Sequence, residues 1–216
     1  MSLWLVVPVK SLRDGKSRLA PALSAAERRA LNEWLLLRTL EHATLFPGLE
    51  RTLVVSACEE VRARAGERGA QVLQERTPGG LNEALLQAQR FLGDAGANRM
   101  MVVPADLPLL RARDLRDLAS AAKANTIALA PDRDRQGTNG LCLDATVCFD
   151  FAFGPSSFER HVDGAARLGL KPVVVERAGL AFDVDTPDHL RELRTLNGQS
   201  STSPPTRRSS SPARTV

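Results

Sequence analysis

The chain has no tyrosine and only nine aromatic residues, seven Phe and two Trp, in 216 positions. A module that binds nucleic acid by stacking bases needs exposed rings, and here most sit in apolar runs, so the composition speaks against one. Cysteine is scarce as well. Cys58, Cys142 and Cys148 are odd in number and lack CxxC spacing, which argues for reduced thiols in a cytoplasm rather than a disulfide framework. No apolar run approaches transmembrane length, and residues 1–10 read as a strand, not a signal peptide. Neither GxxxxGK[ST] nor GxGxxG occurs, which leaves a P-loop or a dinucleotide turn unsupported. A GxSxG elbow is missing too, and His42, His161 and His189 have no partner at metal-ligand spacing, so all three read as structural.

What remains is one substantial α/β core, too short for two comfortable domains. We expect a single domain over residues 1–197 and a basic tail over 198–216. The tail is Ser, Thr, Pro and Arg with almost nothing apolar, a composition that cannot bury enough surface to order itself. Arg207, Arg208 and Arg214 lie there with no acid, and they account for three of the four net positive charges. The remaining chain is therefore almost neutral, which removes the case for nucleic acid as a partner.

The run RMMVVPADLPLL from Arg99 to Leu110 organises the rest. Met100 to Val103 show no polar alternation, as in a strand buried on both faces of a parallel sheet. Pro104 and Pro108 then hold Asp106 on a short rigid loop beyond the strand. Ligand crevices in open α/β sheets lie past the carboxyl ends of strands, so Asp106 is a candidate site residue as well as a candidate turn aspartate. A second acidic pair, Asp183 and Asp185, stands between a short apolar run and a helix start signalled by Thr186 and Pro187. At i and i+2 in an extended segment both carboxylates can face one side. Three hard oxygen groups suit Mg²⁺, which combines carboxylates with waters and phosphates.

Residues 3–9 read as the first strand, and the loop after it carries Lys10, Arg13, Lys16 and Arg18 around Gly15. Cations there can clamp phosphates; a solvated basic loop is the plainer reading. Ser24 and Glu27 form a capping box opening a helix to about Leu45. Further strands are expected at 52–56, 70–73, 126–130 and 172–176, and helices at 59–68 and 112–124. Gly79 and Gly80 precede a helix, where bare backbone can approach a planar ligand. Residues 131–140 read as a long polar loop without an apolar anchor, and 141–143 as a return to the sheet, antiparallel. Ser156 and Ser157 sit near a helix N-cap, where hydroxyls and free N–H groups could cradle an anion.

Taken in order, Pro8-Val-Lys10 with Lys16-Ser-Arg-Leu19, Gly80-Leu-Asn82, Pro104-Ala-Asp-Leu-Pro-Leu109, Ala130-Pro-Asp-Arg133, Gly137-Thr-Asn139, Phe153-Gly154 with Ser157-Phe158 and His161, and Asp183-Val-Asp-Thr-Pro187 resemble the phospholactate guanylyltransferase family of deazaflavin coenzyme biosynthesis. The resemblance runs from residue 3 to residue 195. Its PADLPL piece is also similar to molybdenum-cofactor nucleotidyltransferases. It implies a single-domain, Rossmann-like three-layer α/β nucleotidyltransferase fold with a mostly parallel central sheet. It also implies transfer of GMP from GTP to the phosphate of a three-carbon phospho-acid, with release of pyrophosphate.

Carried over by residue, the resemblance has Asp106, Asp183 and Asp185 holding Mg²⁺ and Lys16 on the phosphates. Thr138, Gly154 and Ser157, with Ser156 beside them, would bind the acceptor. The nucleotide would lie along Gly79, Gly80, Asn82, Pro104 and Ala105, with the cations Lys10 and Arg18. Implied partners are GTP, the phospho-acid and a downstream deazaflavin transferase, with a homodimer left open and no nucleic acid or membrane. Family members often carry glycine where this chain has Ser156. An added hydroxyl favours an acceptor that itself carries one, so 3-phospho-D-glycerate is expected ahead of phosphoenolpyruvate and 2-phospho-L-lactate. Two other readings compete: a glycosyltransferase, since Asp183-Val-Asp185 is also a DxD pattern, and a non-catalytic nucleotide-binding or nucleic-acid-binding module.

Overall fold

The computed structural model describes residues 2–76 and 79–198. Its strands are β1 (Leu3–Pro8), β2 (Thr52–Ser56), β3 (Gln71–Gln74), β4 (Arg99–Val102), β5 (Thr126–Pro131), β6 (Thr138–Asp144) and β7 (Lys171–Val174). The helices are α1 (Ala25–Leu45), α2 (Glu59–Glu67), α3 (Leu81–Asp94), α4 (Ala112–Ala121), α5 (Ser157–Arg167), α6 (Ala178–Ala181) and α7 (Pro187–Gly198). The strands form one sheet in the order β3-β2-β1-β4-β6-β5-β7. Every pairing is parallel except those of β6, which runs antiparallel to both β4 and β5. The expected basic tail lies outside the described residues, apart from Gly198 at the end of α7. None of the described helices is long and apolar enough to cross a membrane.

Side-chain alternation along the central strands builds two cores. Leu5, Val7 and Met101 face Leu36 and Leu40 of α1 and Leu115 and Leu118 of α4. Val6, Met100 and Val102 face Leu85 and Leu92 of α3 and Phe158 and Ala165 of α5. All the named strand residues are fully buried, and each contributes on the order of 1.5–3 kcal/mol by leaving water. Helices on both faces explain why β1 and β4 read as continuous apolar runs rather than alternating ones.

This strand order makes a crevice. From β1 the chain winds outward to β2 and β3, then returns to β4 on the other side of β1. The loops leaving β1 and β4 therefore diverge and leave a cleft between them, the topological switch point of an open α/β sheet.

The structure moves several expected boundaries. Thr138, Asn139 and Gly140 belong to β6 rather than to a loop, which shortens the polar connection to 132–137. That connection is anchored after all: Asp132 accepts from the backbone N–H of Gln136 and Gly137, and Arg133 and Arg135 lie over the rings of Phe182 and Phe158. The helix expected over 112–124 stops at Ala121. The apolar run before Asp183 includes the short helix α6.

Candidate active site

The basic loop after β1 is folded by two buried leucines, Leu12 and Leu19, and by Asn32 of α1, whose amide donates to the Leu12 carbonyl at 2.9 Å. A Cβ at Gly15 would stand 2.6 Å from that amide nitrogen and 3.0 Å from the Ser11 carbonyl oxygen, so a larger residue would displace the Asn32 amide that holds the loop to α1. Lys16 follows in the left-handed region, φ 60° and ψ 38°. A non-glycine residue there stores strain of about 1–2 kcal/mol. The result is a lysine turned inward, its side chain only 7% exposed.

Its ammonium donates to Asp106 Oδ2 at 3.0 Å and to Asp185 Oδ1 at 2.8 Å. The two acidic segments are also joined directly, because the Val184 N–H donates to the Asp106 carbonyl at 3.2 Å. Val184 is fully buried with Leu19, Leu31, Leu35, Leu190 and Leu193. Alternation along the segment then turns Asp183 and Asp185 to the opposite side, toward the cleft. Thr186 caps α7 by accepting from the His189 N–H at 3.3 Å, which fixes where the acidic segment ends.

Two carboxylates thus share one ammonium, and Asp183 stands near enough to feel all three charges. Burial tends to lower the Lys16 pKa, but Asp106 and Asp185 outweigh it and hold the group above its ordinary value. Asp183 is pushed up, first by burial and then by the charges of Asp106 and Asp185. Asp106 Oδ1 is sealed from solvent without a partner. Among the described residues no three His, Cys, Asp or Glu groups stand together as a ready ligand set, so the convergence of all three aspartates on one point is not present. Lys16 instead holds the place between Asp106 and Asp185. An excess of acid over base, an unpartnered carboxylate oxygen and an all-oxygen donor set are nonetheless what a hard divalent cation requires.

Two spaces adjoin this cluster, and a third meets them at Pro8 and Lys10. The first, of about 240 Å³, is lined by Lys10, Gly15, Lys16, Pro104, Ala105 and Asp106. The second, of about 590 Å³, runs from Arg18, Asp183 and Asp185 to Thr138, Asn139, Gly154, Ser156 and Ser157. The third, of about 610 Å³, is a mostly apolar slot at the ends of β1, β2 and β3, lined by Val9, Lys10, Val55, Gly80, Leu81 and Ala84 with Glu75. Gly80 is the N-cap of α3 at φ 79° and ψ −168°, a conformation open to glycine. Of the expected nucleotide residues, Gly79 is not among those lining these spaces. Asn82 is not aimed at a ligand either: its amide donates to the Phe153 carbonyl and accepts from the Phe153 N–H. It staples α3 to the segment that leads into α5.

The expected anion cradle at α5 also changes character. The Ser157 N–H is spent on the Gly154 carbonyl and the Phe158 N–H on the Gln136 carbonyl, so hydroxyls must do what amides were expected to do. Ser157 Oγ accepts from the Thr138 N–H at 2.9 Å, and Thr138 Oγ1 lies 2.9 Å from His161 Nδ1. Ser156 takes the left-handed conformation, φ 54° and ψ 30°, with no side-chain cap bond. Asn139 Nδ2 is buried without a partner beside the same cleft. Asn139 and His161 both lie in the motifs that carry the family resemblance, yet sequence reading gives neither a site role and takes His161 as structural. The signal for the latter was its spacing of four from Ser157, which puts both on one face of α5.

The family model described as "Guanylyl transferase CofC like" matches residues 3–205. The chain is 39% identical over 199 residues to a phosphoenolpyruvate guanylyltransferase of Rubrobacter xylanophilus, covering 92% of this chain and 96% of that protein. It is 32% identical over 193 residues to a 2-phospho-L-lactate guanylyltransferase of Methanothermobacter thermautotrophicus, covering 89% and 84%. A solved nucleotidyl transferase from the latter genus superposes with a TM-score of 0.66 at 16% identity, covering 92% of this chain and 99% of that one. At that identity the likeness speaks for the fold alone.

Proposed function

The chain belongs to the CofC-like guanylyl transferase family, and from that premise we propose that it moves GMP from GTP onto the phosphate of phosphoenolpyruvate. A phosphate oxygen of the acceptor attacks the α-phosphorus, the bond from that phosphorus to the bridging α–β oxygen breaks, and pyrophosphate leaves. The nucleophile is already an anion, so no general base is needed. Catalysis reduces to alignment and charge neutralisation. The observation that carries this reading is the Lys16 ammonium shared by Asp106 and Asp185, two carboxylates that line both of the first two spaces.

In this reading the second space takes the acceptor and the third the base. Lys16 turns from its carboxylates toward the phosphates. Asp106, Asp183 and Asp185 would hold Mg²⁺, which supplies Lewis-acid neutralisation of the phosphates. Arg18 and Lys10 flank the path between base and acceptor. Within the base slot, Glu75 provides a carboxylate acceptor suited to the N1–H and N2–H₂ donors of guanine, whereas adenine offers an acceptor at N1. The DxD sugar-transferase reading treats Asp183 and Asp185 apart from Lys16 and Asp106, yet Lys16 bonds both Asp106 and Asp185, and the Val184 N–H ties the acidic segment to the Asp106 carbonyl.

Choice of acceptor turns on the donors in the second space. Thr138, Ser157 and Asn139 offer protons there, which suits the carboxylate and phosphate of phosphoenolpyruvate. Ser156 was the reason to expect 3-phospho-D-glycerate. Its backbone takes the left-handed conformation that glycine adopts most readily, and its exposed side chain makes no cap bond, so we set phosphoenolpyruvate first. Several relatives carry that acceptor in their names. The product would feed a deazaflavin transferase. Pyrophosphate release with GTP and each of the three acids tests this: phosphoenolpyruvate should be fastest, and faster turnover of another acid overturns the choice.

A further inference from the structure

His161 is fully buried on α5, wedged between the rings of Phe149 and Phe153. Both of its ring nitrogens are engaged. The Ala152 backbone N–H points at Nε2 from 3.0 Å, and an amide can only donate, so Nε2 must be an unprotonated acceptor. A neutral imidazole then carries its proton on Nδ1. That proton faces Thr138 Oγ1 at 2.9 Å, which makes the threonine oxygen an acceptor on its buried side.

Resting on the acceptor assignment above, we propose that His161 is a positioning residue that commits the Thr138 hydroxyl proton to the acceptor's anionic group. With the inner side of Oγ1 already receiving a hydrogen bond, its own proton is left to point into the cleft. Ser157 is committed in the same sense, because its Oγ receives the Thr138 N–H. The pair becomes a fixed two-donor grip without a single lysine or arginine, selective for groups that accept hydrogen bonds. One turn apart on α5, Ser157 and His161 approach Thr138 from the same helix face, one holding its N–H and the other its hydroxyl.

Two substitutions in the full chain separate this role from simple packing. His161→Asn places an amide N–H₂ near Nδ1 and removes the partner of Ala152. His161→Gln places an amide oxygen near Nε2 and removes the donor to Thr138. Each loses one hydrogen bond, so both should melt similarly. Only His161→Gln should raise the KM for phosphoenolpyruvate, by about tenfold or more, leaving the KM for GTP within about twofold; His161→Asn should recover most of that loss. Adding His161→Gln to Thr138→Val should raise the KM no further. Equal KM values in the two variants, or a rise that persists in the Thr138→Val background, overturns the proposal. Should either variant fail to fold, imidazole ¹⁵N shifts of the wild-type chain at neutral pH decide: an Nδ1–H tautomer supports the relay, and Nε2–H refutes it. If wild type releases no pyrophosphate with phosphoenolpyruvate, the acceptor assignment falls, while the tautomer measurement still judges the relay.

Discussion

Lys16→Met keeps the length and apolar stem of the side chain but deletes the ammonium that Asp106 and Asp185 share. At about 3 Å and an effective dielectric near 20, each of those pairs is worth on the order of 5 kcal/mol before desolvation is counted. Lys16 repays part of that gain by leaving water. Removing one partner of a buried pair typically costs about 3–5 kcal/mol, since the other charge stays behind. Asp106 and Asp185 keep 32% and 39% of their side chains exposed, and screening there brings the expected loss down to about 2–3 kcal/mol. For a domain of this size that is a melting shift of roughly 5–10 °C. Thermal unfolding in chelator and in Mg²⁺ reads it directly. The variant should gain more from Mg²⁺ than wild type does, because its carboxylates have lost their internal counter-ion, and GMP transfer should fall by about 100-fold or more. A variant that melts within about a degree of wild type, responds equally to Mg²⁺ and keeps its rate would refute the reasoning.

Other substitutions test other parts of the cleft. Glu75→Gln should cut GTP use by about tenfold or more while improving the ratio for xanthosine triphosphate, whose C2 oxygen accepts where guanine donates; an unchanged GTP to XTP ratio removes Glu75 from base reading. Ser156→Gly should leave the order of acceptor preference intact, and a changed order among the three acids would show that the serine hydroxyl reads the acceptor after all. Burial, with a smaller effect from the Arg160 charge, depresses the His161 pKa to about 4. The unfolded chain therefore binds the proton first as pH falls. Stability from this group is complete above about pH 6.5 and drains away toward pH 4, by about 3 kcal/mol in all. Denaturant titrations at pH 7 and pH 5 should show a loss of about 2 kcal/mol in wild type that His161→Asn lacks; parallel pH dependence in the two would contradict it.

Much of the scaffold was legible because short-range rules govern it. The capping box at Ser24 and Glu27 forms with both of its bonds, the unalternating run before Pro104 is the doubly buried β4, and the spacing of Asp183 and Asp185 puts Val184 inward and both acids outward. What escaped reading depends on distant partners. Lys16 suggested a phosphate clamp, but its bonds reach 90 and 169 residues along the chain, and no local pattern announces that. Thr138 to Gly140 look like polar loop residues, yet β5 pairs with them, Ala130 opposite Gly140 and Pro131 opposite Thr138. Asn82 and the first turn of α5 were expected to present polar groups to ligand, and both spend them on neighbouring backbone. His161 lacked a ligand-spaced partner in sequence because its partner, Thr138, lies on a strand.

One assay bears most directly on the acidic cluster and its lysine as the seat of GMP transfer. GTP labelled in its α-phosphate is incubated with phosphoenolpyruvate and Mg²⁺, using the wild-type chain and Asp106→Asn. Wild type should put label in a diphosphate-linked guanosine product, matched mole for mole by pyrophosphate, with the variant at least about 100-fold slower. No labelled product from wild type, or an Asp106→Asn variant that works at the wild-type rate, would contradict it.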